Sequence, residues 1–286
     1  TPSTTVDSRV LDGFGVRPYN WEYSASIQHE VTPRVSVHFG YFRRWFGNFA
    51  VTDNLPLAPS DFTSFATAVP LDPRLPDGGG DTIDGFVDRN PNTATLAPNN
   101  FFTLARDYGD QIQQWNGFDL TMNARIRSDL YLQGGMSMGR TLTDNCEVLA
   151  KIPESAPLNI PYCRQLTDFL TQLKFLGSYT LPRIAVQLSG AFQSLPGPAV
   201  AANRVVTPAQ TTLGRPFTNA ANLTLNLVEP GTLYGERLNQ LDLRIAKAFP
   251  WGRSRTALNF DLYNAFNAST VLAENPAYSG TGLNQW

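Results

Sequence analysis

Apolar and polar residues alternate along the chain with a period of two. In residues 118–127, FDLTMNARIR, apolar side chains such as Leu120 alternate with polar ones. Residues 19–31, YNWEYSASIQHEV, follow the same pattern, with Trp21 and Ile27 on the apolar side. An α-helix would spread both sets around its circumference, so this alternation predicts β-strands.

Eight segments share this alternation, and each has about the ten residues that a tilted strand needs to cross a lipid bilayer. Consecutive segments are expected to pair in an antiparallel sheet. We predict strands at residues 19–31, 34–47, 113–127, 130–142, 167–180, 183–194, 237–249 and 255–266.

The connections between these strands fall into two classes. Alternating short and long connections are typical of outer-membrane barrels, which have short periplasmic turns and long extracellular loops, whereas a soluble sandwich has evenly spaced turns. The tight turns are centred on Pro33, Ser128, Pro182 and Gly252. The long stretches, rich in Pro, Gly and Asn, are 48–110, 143–166 and 196–236.

This pattern predicts an all-β fold with a single β-barrel domain fragment over residues 1–286. We expect an antiparallel up-and-down transmembrane β-barrel, or an eight-strand portion of a larger barrel, with long extracellular loops. The sequence leaves open a soluble β-domain in which the apolar face is the core.

The two faces of each strand have different chemistry. The polar face is expected to line a hydrated lumen, where opposite charges form cross-strand ladders. The lumen-facing residues are predicted to include Glu22, Asp119, Arg125, Asp242, Arg244 and Asp261. The apolar face is expected to contact lipid, with aromatic residues near the strand ends forming an interfacial girdle. These aromatic residues are Tyr19, Trp21, Trp45, Phe46 and Trp251.

The composition excludes several other classes of protein. Charged residues make up 16% of the chain and the net charge is −2, so no basic surface indicates a nucleic-acid partner. No run of 18 apolar residues occurs, which excludes helical membrane spans. The sequence TPSTTVDSRVLDG at the start lacks the features of a secretory signal, so we expect the signal of an exported protein to lie upstream.

The two cysteines, Cys146 and Cys163, lie in the same long polar stretch. They lack zinc-ligand spacing and are too few for a disulfide scaffold. We predict a single disulfide, because the antiparallel strands on either side bring the ends of the stretch together. Such a bond favours an oxidising compartment. The alternative is a pair of free, buried thiols.

Residues 231–271 contain R-x-N-Q-L-D-L-R-x-x-K, a tight turn, and a strand that ends D-L-Y-N-A-F-N. These motifs resemble the late-barrel region of TonB-dependent receptors, particularly the Oar-like outer-membrane β-barrels. The stretches YNWEYSASIQHEVTPRVSVHFGYFRRWFGNF and LPRIAVQLSGAFQSLPG are similar to the same family, so the resemblance covers most of the chain.

The resemblance implies a receptor or transporter segment of the bacterial cell outer membrane that takes up a large solute. The implied partners are outer-membrane lipid, an unidentified solute, and a periplasmic energy-coupling protein that acts through a plug domain. No plug is recognisable here, and residues 272–286 lack the aromatic strand on which such receptors end. We therefore expect the plug and the final strand to be missing, in a wall of about 22 strands.

One segment has the spacing of a hydrolase motif. Residues 135–139, GMSMG, match the G-x-S-x-G nucleophile elbow, in which Ser137 would be the nucleophile. The elbow needs a strand-to-helix turn and a later histidine, but this segment alternates as a strand and both His29 and His38 precede it. We therefore predict no enzyme, with a serine esterase using Ser137 as a less favoured alternative, and interpret both histidines as wall residues.

The longest loop contains an aspartate cluster within PDGGGDTIDGFVDRN that could bind Ca²⁺, although the order of residues is not that of an EF-hand. A solvated acidic loop is the favoured interpretation, and no other cofactor is expected. The aspartates concerned are Asp77, Asp81, Asp84 and Asp88.

An alternative function is a surface ligand-binding or adhesin barrel without transport, whose loops recognise a glycan or a peptide. Aromatic residues in the loop 48–110 would suit a ligand platform, and they would equally suit loops packed over the barrel mouth. These residues are Phe49, Phe62, Phe65, Phe86, Phe101 and Phe102.

Overall fold

The computed structural model describes residues 3–279 and is all-β, with 54% of residues in strands and 11% in helices. The prediction of an all-β, antiparallel protein is therefore confirmed. The strands are β1 (Ser3–Val6), β2 (Tyr19–Thr32), β3 (Val35–Gly47), β4 (Ala50–Asn54), β5 (Phe62–Ala68), β6 (Thr82–Arg89), β7 (Asn99–Leu104), β8 (Ile112–Arg127), β9 (Leu130–Asp144), β10 (Arg164–Leu166), β11 (Gln172–Leu181), β12 (Val186–Leu195), β13 (Asn203–Val206), β14 (Leu223–Asn226), β15 (Leu238–Trp251), β16 (Ser254–Leu262) and β17 (Ala277–Tyr278).

The helices of the described residues are short and lie in the connections. The α-helices are α1 (Ser8–Leu11) and α2 (Cys146–Lys151). Single 3-10 turns occur at Pro59–Asp61, Pro76–Gly78, Pro91–Thr93, Ala105–Asp107, Pro153–Ser155, Ile160–Tyr162 and Pro208–Gln210.

Eight long strands form one antiparallel sheet in the order β2-β3-β8-β9-β11-β12-β15-β16, and β10 adds a short pairing to β9. These are the eight strands that the alternation predicts, and neighbours pair in sequence order. The four tight turns therefore lie at one end of the sheet, and the long connections leave from the other end.

Three predicted strand bounds are wrong by several residues. β11 begins at Gln172 rather than at residue 167, and β12 begins at Val186 rather than at residue 183. β16 ends at Leu262 rather than at residue 266. The last difference has a clear cause: Asn264 adopts a φ of 52°, and its backbone N–H donates to the Asp242 carboxylate at 2.7 Å. The chain therefore leaves the ladder before the end of the D-L-Y-N-A-F-N motif.

The eight-strand sheet is open. Within the described residues β2 and β16 are its two edges, and no sheet closes on itself. All 14 residues of β2 are exposed.

The register places the apolar positions of neighbouring strands side by side. One cross-strand row of directly opposed residues consists of Ile27, Phe39, Leu120, Met136 and Leu173. The row one residue away consists of Gln28, His38, Thr121, Gly135 and Lys174. Since side chains alternate between faces, the sheet has one apolar face and one polar face.

The buried core of the protein lies in the long connections. We call residues 48–110, 143–166 and 196–236 the cap. Its strands form small sheets, and β1 and β17 from outside these ranges complete two of them. The orders are β1-β7-β4, β5-β6 and β14-β13-β17. Among the described residues, Ala124 is the only buried apolar side chain that belongs to the eight-strand sheet.

Two apolar clusters fill most of the cap. The first joins Phe65 and Phe86 to Val206, Leu213, Phe217 and Leu225. The second joins Val69, Leu75, Ala202, Leu227, Val228 and Tyr278. Both clusters combine residues from the first and third long connections, so these loops fold together as one packed layer.

The disulfide between Cys146 and Cys163 is present, with the two Cα atoms 4.8 Å apart, and it confirms the predicted bridge. It joins the start of α2 to the residue before β10. Val148 and Ile152 of the enclosed segment are buried with Ala105 in a third apolar cluster. The disulfide therefore closes a loop that is itself packed into the cap.

Candidate functional site

The apolar face of the eight-strand sheet is uncovered. Leu120 is 41% exposed, Ile27 66% and Phe260 65%, although these are residues that a soluble protein would normally bury. In the described part of the chain no second sheet packs on this face, so it does not form the core of a β-sandwich there.

Aromatic residues lie on the apolar face near both ends of the sheet. Tyr19, Trp21 and Trp45 share this face near the cap, where Trp21 and Trp45 are directly opposed. Trp251 lies on the same face beside a tight turn and is 74% exposed. The prediction that Phe46 belongs to the same girdle is wrong, because Phe46 follows Trp45 directly and therefore points to the polar face.

The polar face carries an open cavity. It has a volume of about 620 Å³ and extends over five neighbouring strands, β8 to β15. Most of the polar side chains around it come from the predicted lumen-facing rows. They include Asp119, Thr121, Ser137, Lys174, Gln193 and Asp242.

Hydrogen bonds connect the polar side chains at one side of this cavity. The Gln193 amide donates to Gln240 at 3.0 Å, and the Gln240 amide donates to Asp242 at 3.1 Å. Asp242 also accepts the backbone N–H of Asn264. This network fixes the polar surface of β12 and β15.

The six predicted lumen-facing residues all lie on the polar face, but only one pair of them interacts. Arg244 and Asp261 are directly opposed on β15 and β16 and form an ion pair. Glu22 lies opposite Arg44, whose guanidinium donates instead to Asn20 at 3.1 Å. Continuous charge ladders are therefore not formed in the described sheet, because the charged pairs are interrupted by uncharged residues. Asp119 lies opposite Gly40 and Ser137, and Asp242 lies opposite Ala191.

A packing feature that the alternating pattern does not indicate occurs on the same face. The Trp115 indole lies over Gly117 and Gly139, which are opposed on β8 and β9. A Cβ added at these two glycines would approach ring atoms of Trp115 to 2.1 and 2.5 Å respectively. Glycines inside strands often mark such close approaches, so their presence was the available signal.

Ser137 does not lie in a nucleophile elbow. It is in the middle of β9, directly opposite Asp119, whereas the elbow requires a sharp turn from a strand into a helix. His29 and His38 lie in β2 and β3 at positions of opposite parity, so they point to opposite faces of the sheet. Two residues of the G-x-S-x-G pattern, Gly135 and Gly139, are instead small residues required by packing.

The four aspartates of the longest loop do not converge in the structure. Asp81 and Asp84 are exposed, whereas Asp88 is buried and pairs with Arg215. The backbone N–H of Thr218 also donates to Asp88 at 3.2 Å. Within residues 3–279 no group of three or more His, Cys, Asp or Glu side chains could hold a metal ion. Calcium binding by Asp77 and its neighbours stays a prediction.

The aromatic residues of the first long loop have separate roles. Phe65 and Phe86 are buried and stack with their ring centroids 5.7 Å apart, so they belong to the cap core. Phe62 lines a cavity in the cap. Packing within the loops thus accounts for two of the six phenylalanines, Phe65 and Phe86.

Comparison with protein-family models, with curated proteins and with solved structures finds no match to this chain. None of the helices between residues 3 and 279 is long and apolar enough to span a membrane. The functional interpretation therefore depends on the geometry of the sheet and the cap.

Proposed function

We propose that the eight-strand sheet is part of the wall of an outer-membrane β-barrel, of the kind found in TonB-dependent receptors, with the cap on the extracellular side. The observation that carries this proposal is the division of the protein into two parts. The sheet exposes a continuous apolar face, while the buried core lies in its long connections. Exposing the apolar face costs little free energy if lipid, rather than water, covers it.

The open edges support a portion of a wider wall. Unpaired strand edges are not tolerated in lipid, because each free backbone group would lose its hydrogen bond to water. In a complete barrel β2 and β16 would each pair with a further strand. The polar face would then line the lumen, and the cavity near Asp119 and Lys174 would face the passing solute or the plug.

The function that follows from this arrangement is energy-coupled uptake of a large solute across the outer membrane. The wall supplies the hydrated path, and the cap supplies the surface that first meets the solute. Coupling would require a plug domain and a periplasmic energy-coupling protein. The alternative is a surface receptor or adhesin without transport. The well-packed cap supports this alternative, because a folded cap provides a rigid surface for binding a ligand.

The membrane proposal is tested by a pair of neighbouring substitutions. Leu120 is on the apolar face and Thr121 is on the polar face of the same strand. We expect Leu120→Arg to reduce partition into vesicles of outer-membrane lipid strongly, since an arginine at the lipid face costs about 2–4 kcal/mol at mid-bilayer. Thr121→Arg is the matched control and should partition like the wild type.

Two results would contradict the proposal. One is a wild-type protein that stays monomeric and soluble without lipid or detergent. The other is an equal effect of the two arginine substitutions on partition. A transport function is tested separately, by uptake of solute into cells that carry the complete receptor, and an adhesin would retain surface binding when uptake is absent.

A further inference from the structure

A second cavity of about 650 Å³ lies in the cap, where all three long connections meet. Its walls come from β4, β6 and β7, from residues 153–158 inside the disulfide-closed loop, and from residues around the start of β14. Its volume is within the range of about 300–1,000 Å³ that is usual for small-molecule sites. It is separate from the cavity on the sheet, and the roles proposed above do not use it.

Hydrogen bonds between the connections hold the walls of this cavity in place. The backbone N–H of Val87 donates to the Pro157 carbonyl at 3.2 Å, which joins β6 to the disulfide-closed loop. The backbone N–H of Asn54 donates to the Glu154 carboxylate at 3.1 Å, which joins the same loop to β4. The cavity is therefore formed before any ligand enters.

The lining combines an apolar wall with uncharged polar groups. Leu57, Phe62, Leu158 and Leu223 supply apolar surface. The Asn100 side chain is half-buried at the cavity and makes no hydrogen bond with the rest of the described chain. A free carboxamide offers both a donor and an acceptor to a ligand.

The charged groups near the cavity are mostly engaged with the protein itself. Asp88 is paired with Arg215, and the Arg89 guanidinium donates to the Thr93 hydroxyl at 3.1 Å. Glu154 retains acceptor capacity beyond its bond to Asn54, since a carboxylate has about four lone-pair sites. The Arg89 guanidinium has no carboxylate partner in the described chain, and Glu154 supplies one negative charge to the same lining. These two charges offset each other, so the chemistry of the lining suits a neutral ligand with hydroxyl groups.

An extended peptide fits this site less well than a sugar. Peptides are commonly bound by strand addition to a free sheet edge, and β4 is an edge strand. However, Glu154 already accepts the outward N–H of Asn54, so that edge is partly covered. A sugar ring needs no strand edge: its C–H face can pack on Phe62, and adjacent hydroxyls can reach Asn100 and Glu154.

We infer that the cap cavity bounded by Phe62, Asn100 and Glu154 is a binding site for a neutral saccharide. Phe62 and the neighbouring leucines cover the apolar face of a ring. The Asn100 amide and the Glu154 carboxylate bind its hydroxyl groups. This inference does not require that the sheet conducts solute, so it can fail while the membrane proposal stands.

The test is calorimetric titration of the full chain, in an amine-oxide detergent without a sugar headgroup, with neutral hexasaccharides of glucose, xylose and N-acetylglucosamine. We expect one of these to bind. Asn100→Leu and Glu154→Gln should each weaken binding roughly tenfold. The first variant loses the hydrogen bonds of the Asn100 amide, and the second loses a charge-assisted hydrogen bond of the Glu154 carboxylate. The carboxamide oxygen introduced by Glu154→Gln can still accept the N–H of Asn54, so this variant should keep the cap folded.

The matched control is Asn99→Leu, because Asn99 precedes Asn100 on β7 and its exposed side chain is outside the cavity. It should bind the saccharide as the wild type does. Absence of binding to all three saccharides at millimolar concentration would overturn the inference. So would an equal loss in the Asn99 and Asn100 variants, or binding of unstructured peptides that the Asn100 substitution abolishes.

Discussion

Burial raises the pKa of the Glu154 carboxyl, and the nearby Asp53 carboxylate acts in the same direction. A raised pKa in the folded state means that the protonated form is favoured by folding. The stabilisation is complete below the unfolded value of about 4.5 and is lost as the pH rises through the higher folded value. At neutral pH the ionised Glu154 therefore destabilises the cap.

We expect Glu154→Gln to raise the thermal unfolding midpoint at pH 8. The midpoints at pH 5 and pH 8 should also differ less in this variant than in the wild type. The gain should be below about 1 kcal/mol, because the side chain is only partly withdrawn from water. Glu147→Gln is the control, since Glu147 also accepts a backbone N–H, from Asp110 at 2.9 Å. An unchanged pH profile in the Glu154 variant would refute the assignment.

The glycine contacts on the polar face give a second prediction at the residue scale. Gly139→Ala should destabilise the sheet by roughly 1–3 kcal/mol, because the Trp115 ring must move away from the new methyl group. Gly190→Ala is the matched control on β12, where the nearest atom is an ordinary 3.4 Å from the added Cβ. Denaturant unfolding, monitored by tryptophan fluorescence, measures the unfolding free energy of both variants. Equal losses of unfolding free energy would show that the Trp115 indole is not the cause of the destabilisation.

At the scale of elements, the disulfide between Cys146 and Cys163 should stabilise only the loop that it closes. It closes a loop with a sequence separation of 17 residues, for which the chain-entropy model gives about 3 kcal/mol. We expect the double substitution Cys146→Ala and Cys163→Ala to increase hydrogen exchange in α2 and at Tyr162. Exchange in β8 and β9 should be unchanged, because their ladder does not depend on the bond. Equal increases in both regions would contradict this.

Tyr162 gives the same loop a spectroscopic signature. Its hydroxyl donates to the Asn226 carbonyl at 2.9 Å, and burial raises its pKa to about 12. Loss of the disulfide should expose this phenol and move its titration toward that of a free tyrosine. Absorbance at high pH measures the change.

Strands of the sheet were predictable, whereas those of the cap were not, and the reason is physical. A strand with one apolar and one polar face must alternate, so β8 and β15 can be read directly from the sequence. β5 packs inside a folded loop, where three consecutive residues, Phe65, Ala66 and Thr67, are buried, so the period of two is lost. Proline and glycine in the same stretches also suggested irregular loops.

The candidate sites follow the same division. The side-chain directions of Asp242 and Arg244 were predictable because they depend only on the strand period. Their partners depend on the register and on where β16 ends, which local sequence does not specify. The cap cavity depends on contacts between residues far apart in the chain, such as Asn54 and Glu154, and no local pattern indicates it.

At the scale of the whole molecule, the decisive feature is that β2 and β16 are separate edges. Their directions are antiparallel, and both expose apolar residues on the same side of the sheet. If their turn ends were aligned so that Val31 faced Ser254, Ile27 would lie opposite Leu258. An eight-strand barrel would then close within one chain, whereas a portion of a wider wall keeps these residues apart.

We expect a portion of a wider wall rather than a closed eight-strand barrel. A pair of engineered cysteines can distinguish these two arrangements. The native cysteines are already joined to each other, so no other thiol competes within the described chain. Ile27→Cys with Phe39→Cys is the positive control, because these residues are directly opposed and antiparallel neighbours lie within disulfide range. Ile27→Cys with Leu258→Cys should give no cross-link within the monomer. Efficient intramolecular cross-linking of the second pair would show that the eight strands close by themselves, and the wider wall would then have to be abandoned.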